Sequence, residues 1–189
     1  MSEQTQEKKA NPGALGLLGF GMTTVLLNLH NTGIIELSAV IVAMGLALGG
    51  LAQVIAGIFE LRGGNTFGGT AFTAYGLFWW SLLFIWTDPA KNFGILNADD
   101  KSVGFYLLLW GIFTLFMYIA TLRHNIATQI VFMTLTILFF GLAIGEFSGV
   151  SAVTVVSGWV GVACGASAIY NAMGQVINGE YGKTVLPLG

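Results

Sequence analysis

Uncharged hydrogen-bonding side chains recur inside otherwise apolar stretches of this chain. Thr23, Thr24 and Asn28 fall in the first stretch, Gln53 in the second, Thr70, Thr73 and Tyr75 in the third, and Thr114 in the fourth. Hydroxyls and amides both donate and accept, so a row of them can hand a small polar solute from one group to the next. Each is costly in hydrocarbon unless it finds a partner. Two readings therefore compete. Threonine often bonds back to its own helix, and Asn or Gln often ties two helices together. The alternative is a solute path.

Other chemistry finds little support. No Lys or Arg lies in the middle of an apolar stretch, and the carboxylates Glu60 and Glu146 lie near the ends of theirs. A proton relay through the bilayer centre would need Asp, Glu or His in series, and that series is missing. There is no phosphate-cradling loop ending in Lys-Ser/Thr, no HExxH, no CxxC and no nucleophile elbow. Gly63–Gly69 reads as a turn, with Asn65 or Thr66 as the N-cap of the next helix. His30 has no clustered His, Cys or carboxylate partners, so it reads as a wetted or capped histidine rather than a metal ligand. Cys164 reads as a small packing residue. No metal, cofactor or enzymatic activity is expected, and no basic stripe offers a nucleic-acid surface.

The elements that must position these groups are membrane helices. Of 189 residues, 55% are hydrophobic and only 8% are charged. A hydrocarbon core of about 30 Å takes about 20 helical residues to cross. Six stretches qualify: Ala14–Thr32, Ser38–Leu61, Phe67–Thr87, Ser102–Leu122, Ile126–Phe147 and Ala152–Asn178. Barrel strands would alternate apolar and polar residues, whereas Ala39–Leu48 and Ile130–Leu138 are continuously apolar. The expected fold is an all-α membrane protein with a polar segment 1–13, a six-helix domain 14–178 and a short tail 179–189. Met1–Pro12 lacks the pattern of a cleaved signal peptide. With six spans both termini share a side, which carries Lys8, Lys9, Arg62, Arg123 and Lys183, against Lys91 and Lys101 opposite. The outer loop also carries Asp88, Asp99 and Asp100. Positive-inside bias then puts both termini in the cytoplasm of a plasma-membrane protein.

Glycine pairs four apart (Gly45 and Gly49, Gly141 and Gly145, Gly161 and Gly165) leave bare helix faces. Packing within one protomer is the favoured reading, and an interface between protomers the other. Trp86 fits an interfacial belt, while Trp79, Trp80 and Trp110 lie deeper and could face lipid, a neighbour or a pore.

Asn11-Pro12-Gly13-Ala14-Leu15-Gly16-Leu17 resembles the signature of the acetate uptake transporter family, also called the GPR1/FUN34/YaaH family. Bacterial succinate–acetate permeases belong to it. The usual form has Ala-Pro where this chain has Gly13-Ala14. The similarity runs on through Gly19–Thr24, Leu26–Asn31, Gly64–Gly68, Thr70–Thr73, Tyr75-Gly76, Leu109–Gly111, Phe113–Met117, Cys164–Tyr170 and Thr184–Pro187. The resemblance implies six helices per protomer, a homo-hexamer in the lipid bilayer, and an hourglass path for acetate and other short carboxylates, succinate among them. It also implies a neck of Phe20, Tyr75 and Leu135. Thr23, Thr24, Asn28, Gln53, Thr70, Thr73 and Thr114 are then candidate flanking partners, and helix N-termini near Asn11 and Asn65 add positive partial charge. A passive channel and a proton-coupled carrier stay open. So do ammonium export, linked to fungal relatives, and a membrane interaction protein that transports nothing.

Overall fold

The computed structural model of the protein describes residues 10–87 and 97–189. These residues form helices and connecting turns, with no strand among them. In chain order the helices are α1 (Pro12–Asn31), α2 (Ala39–Arg62), α3 (Thr66–Thr87), α4 (Asp100–Thr121), α5 (Ile126–Ser148) and α6 (Ser151–Tyr181). Five of them, all but α3, are long and apolar enough to cross a membrane by length and composition. Lys8, Lys9, Asp88 and Lys91, used in the orientation argument, lie outside the described residues.

Short polar side chains set the helix starts. The Gly13 N–H donates to Asn11 Oδ1 at 3.0 Å, and Pro12 occupies the first helical position, where its missing N–H costs nothing. Gly68 N–H donates to Asn65 Oδ1 at 3.0 Å, which makes Asn65 the cap of α3. Thr128 N–H donates to Asn125 Oδ1 at 2.8 Å at the start of α5. Asp99 and Ser102 form a reciprocal capping box on α4. Glycines in the left-handed region, Gly149 (φ +65°) and Gly182 (φ +62°), end α5 and α6.

The second span is not a uniform α-helix. Gly45–Ala52 widens into π geometry in the middle of α2. Such segments leave carbonyls short of partners and are often functional. Here donors from both neighbours reach in: Thr23 Oγ1 lies 3.3 Å from the Met44 carbonyl, and Trp80 Nε1 donates to the Leu46 carbonyl at 3.2 Å. The Trp80 indole also fills the space that a side chain on Gly50 would need.

α1 lies against α6, α2 and α3, and α5 lies between α4 and α6. All three glycine pairs are covered by this same chain. Gly45 and Gly49 receive Trp79, Gly141 and Gly145 receive Ser157 and Thr154, and Gly161 and Gly165 receive Asn28 and Val25. At the crossing of α1 and α6, an added Cβ on Gly21 or Gly165 would stand 2.7 Å from the other's carbonyl oxygen. Outward faces carry large apolar side chains such as Phe84, Leu109 and Phe116, each about two-thirds exposed in the single chain. Water disfavours such a surface and lipid does not.

Candidate functional site

Three helices each bury a stripe of side chains. On α1 the stripe is Leu17, Phe20 and Thr24; on α3 it is Ala71, Tyr75 and Phe78; on α5 it is Thr128, Phe132, Leu135 and Phe139. All are buried, and steps of three and four residues keep each set on one helix face. Phe20, Tyr75 and Leu135 meet at a cavity of about 20 Å³, whose wall also includes Gln53, Phe72 and Phe132. The Phe20 and Tyr75 ring centroids are 6.0 Å apart, and Phe132 lies 6.2 Å from Tyr75.

Polar groups are few at this level, and their commitments differ. Thr114 Oγ1 donates to the Trp110 carbonyl at 2.7 Å, so its single proton is used. The Tyr75 hydroxyl, 2.9 Å away, is therefore the donor to Thr114. Gln53 is 1% exposed, lines the cavity, and has no partner for Oε1. The Thr24 hydroxyl is buried and likewise unpartnered.

The other candidates point elsewhere. Thr23 Oγ1 shares its proton between the Gly19 and Met44 carbonyls. Asn28 donates to the Thr24 carbonyl at 2.9 Å, accepts from Asn31, and fills the space left by Gly161, which ties α1 to α6. Thr73 presses its hydroxyl against Gly57 of α2. Thr70 is exposed on the outer side of α3. His30 Nδ1 lies 3.1 Å from the Ile35 carbonyl; a carbonyl only accepts, so Nδ1 carries the proton and the ring caps a turn. Trp79 is buried against the glycines of α2, and Trp110 lies half-buried beside Tyr75 and Phe78.

Next to the neck lies a cavity of about 370 Å³. Leu17, Ala71, Phe72 and Phe132 line both spaces, so the two adjoin. The three capping asparagines, Asn11, Asn65 and Asn125, line the wider cavity, and they stand at the N-termini of α1, α3 and α5. Three positive helix ends thus converge on one chamber, an arrangement suited to an anion. Amides cross-link its rim. Asn11 Nδ2 donates to Gln175 Oε1 (2.6 Å), Gln175 Nε2 to Asn171 Oδ1 (2.9 Å), and Asn171 Nδ2 to Thr128 Oγ1 (3.0 Å). Glu60 and His124 also line the chamber, and Glu60 Oε2 accepts from Asn65 Nδ2 at 2.7 Å.

Sequence reasoning brought out Asn11 and Asn65 but not Asn125, Glu60, His124 or Phe132. Phe132 precedes Leu135 by three residues on the same helix face, a spacing available once Leu135 is assigned. Among the described residues no group of His, Cys, Asp or Glu is placed to hold a metal ion.

Comparison with known proteins places these observations. A model of the GPR1/FUN34/yaaH family matches residues 1–188. The chain is 53% identical over 183 residues to the succinate-acetate/proton symporter SatP of Escherichia coli (strain K12), covering 96% of each chain. It is 40% identical over 174 residues to the ammonia transport outward protein 2 of Saccharomyces cerevisiae, covering 87% of this chain and 61% of that one. A solved structure of the bacterial acetate channel SatP superposes with a TM-score of 0.93 at 52% identity, covering 96% of this chain and all of the other.

Proposed function

The chain belongs to the GPR1/FUN34/yaaH family, and from that premise we propose that it moves acetate and similar short carboxylates across the membrane through the Phe20–Tyr75–Leu135 neck. The family is one of transport proteins, so the chain is not an enzyme, and its apolar helices make it an integral membrane protein. The observation that carries the reading is the meeting of Phe20, Tyr75 and Leu135, from three separate helices, on one small apolar cavity adjoining a chamber ringed by helix N-termini.

The chamber collects carboxylates and the neck sorts them. A hydrated ion cannot pass an apolar constriction without shedding water, whereas a methyl group slides along aromatic and leucine surfaces. Gln53 on the cavity wall and Thr24, one helical turn beyond Phe20, carry buried polar atoms without partners, and Thr114 holds the Tyr75 hydroxyl in place.

In this reading all six helices cross the bilayer within a single transport domain, residues 14–178. The chamber faces the cytoplasm, because Arg62 and Arg123 flank it in the chain and Asn11 and Gln175 bring the start of α1 and the end of α6 to the same end. A homo-hexamer would cover much of the apolar outer surface. Movement of a proton with the substrate is supported by the name of the Escherichia coli relative.

The test is labelled acetate flux into liposomes holding the purified protein, corrected for protein-free vesicles. Protein-dependent acetate flux that Phe20→Ala or Tyr75→Ala alters in rate or selectivity is the expected result. Flux untouched by both substitutions would sink the neck. Methylammonium flux without acetate flux would favour the export role carried in the name of the yeast relative.

A further inference from the structure

We infer that the substrate carboxylate docks in the chamber against the first turn of α5, on Thr128 and Asn125, and that a one-way chain of amides starting at α1 reserves the Thr128 proton for it. The inference rests on the carboxylate-transport reading above. It picks out one corner of a chamber that three helix ends share.

The other two helix ends are already engaged. Each capping asparagine commits its Oδ1 to a backbone N–H: Asn11 to Gly13, Asn65 to Gly68 and Asn125 to Thr128. Each then has its NH2 group to offer. Asn65 donates to Glu60 Oε2 at 2.7 Å, and Asn11 donates to Gln175 Oε1 at 2.6 Å. Glu60 itself lies between the first turns of α1 and α3. An added Cβ on Gly13 would stand 2.9 Å from its Oε1, and one on Gly68 would stand 3.1 Å from its Cδ. A resident carboxyl group thus fills the room at those two ends. At α5 the Asn125 NH2 has no partner among the described residues and is not buried, and Asn125 lines the chamber.

Thr128 supplies an independent observation. It is 8% exposed and forms part of the chamber wall. The direction of every bond leading to it is forced. The Gly13 N–H can only donate, so it fixes Asn11 Oδ1 and leaves Asn11 Nδ2 for Gln175. Gln175 accepts through Oε1 and must donate through Nε2, to Asn171 Oδ1 at 2.9 Å. Asn171 is left with Nδ2, which donates to Thr128 Oγ1 at 3.0 Å. An amide nitrogen accepts nothing, so the Thr128 proton takes no part in this chain. Thr114, Thr134 and Thr136 return their protons to the carbonyl four residues back. Thr128 makes no such bond, and no acceptor among the described residues takes its proton.

The start of α5 therefore brings two uncommitted donors together, three residues apart on one helical turn. Their acceptor atoms are already bonded to Thr128 N–H and Asn171 Nδ2. A carboxylate carries acceptors only, on two oxygens, and matches such a pair. An ammonium ion carries donors only and finds nothing there. The positive end of α5 acts in the same sense. This corner thus selects an anion and places it one helical turn from Phe132, which lines both chamber and neck.

The experiment measures labelled acetate flux against acetate concentration in proteoliposomes of the full chain, with melting temperatures alongside. Thr128→Val keeps the side-chain shape and removes the hydroxyl. It should raise the half-saturating concentration by about tenfold, the scale of a hydrogen bond to a charged group. Its maximal rate should stay within about twofold, as for a loss of binding alone. Thr128→Ser, which keeps the hydroxyl, should stay near the unaltered protein. Asn125→Ser keeps a helix cap, removes the NH2 group and should also weaken half-saturation. Gln175→Glu tests the amide chain from a distance. A carboxylate only accepts, so Asn171 must turn Nδ2 toward it and present Oδ1 to Thr128, which then donates there. Half-saturation should weaken, and the same change made on Thr128→Val should add little. An equal effect in both backgrounds would mean that the added charge acts alone, and would overturn the role of the amide chain. A lowered melting temperature in Thr128→Val with half-saturation unchanged would make the hydroxyl structural and overturn its role in binding. Unchanged half-saturation in both Thr128→Val and Asn125→Ser would remove this corner as the docking site and leave the transport reading standing. Absence of any protein-dependent acetate flux would remove the transport reading itself.

Discussion

The Tyr75 hydroxyl donates to Thr114 Oγ1 at 2.9 Å and so joins α3 to α4 at the level of the neck. Thr114 is in turn anchored to its own helix through the Trp110 carbonyl, so the ring of Tyr75 is held from its far end. Interhelical hydrogen bonds in membranes average about 0.6 kcal/mol. A cycle of Tyr75→Phe, Thr114→Val and the double variant, followed by thermal or denaturant unfolding, should return a coupling energy of about that size. Coupling near zero would mean that packing alone orients Tyr75.

Truncating the neck should loosen both selectivity and stability. Phe20 and Leu135 are buried at 6% and 2% exposure, and each faces a cavity of only about 20 Å³. Leu135→Ala should cost about 2–4 kcal/mol, the usual range for a leucine whose site cannot fully collapse. The same variant should admit longer monocarboxylates, read as a rise in butyrate flux relative to acetate flux. Unchanged ratios would mean that the sorting lies elsewhere.

Two glycines of α6 should respond in opposite directions to alanine. A Cβ on Gly165 would stand 2.7 Å from the Gly21 carbonyl, which is backbone and cannot swing aside. Gly165→Ala should therefore destabilise by about 1–3 kcal/mol through overpacking. A Cβ on Gly179 would meet nothing within 4 Å, so Gly179→Ala should gain up to about 1 kcal/mol from helix propensity. Paired melting temperatures check both signs at once.

The start of α4 should be acid-sensitive. Hydrogen bonds from the Ser102 backbone and side chain hold the Asp99 carboxyl below its ordinary value. A carboxylate whose folded value is depressed contributes stability above its unfolded value and loses it as pH falls through the folded one. Amide exchange at Ser102 and Val103, corrected for its intrinsic pH dependence, should accelerate as pH drops below about 4, and Asp99→Asn should flatten that change.

The helices were legible in the sequence because continuous apolar runs ended at Asn, Pro and Gly, residues with specific roles at helix ends. Every expected span overlaps a helix with ends within three residues. Phe20, Tyr75 and Leu135 were legible through motif resemblance, and the structure brings them to one cavity. The polar candidates separated only in three dimensions. Thr23 and Gln53 look alike in a list of groups at membrane depth. Yet the Thr23 hydroxyl turns to backbone carbonyls, whereas Gln53 lines the neck cavity and its Oε1 has no partner. That difference depends on which neighbour each helix face meets, and periodicity does not encode it. Glu60 read as a charge at a helix end. Its burial depends on two other helices starting on either side of it.

The widened turn at Gly45–Ala52 ends immediately before Gln53. Each residue of an α-helix advances the azimuth by about 100°. The wide turn advances less per residue, so tightening it to ordinary α geometry at unchanged length would rotate every side chain beyond it about the helix axis. Gln53 would then leave the wall of the neck, although nothing at the neck had been altered. The direction of this one side chain is thus fixed by underwinding upstream of it, much as a key's bite depends on how far its shaft has been turned.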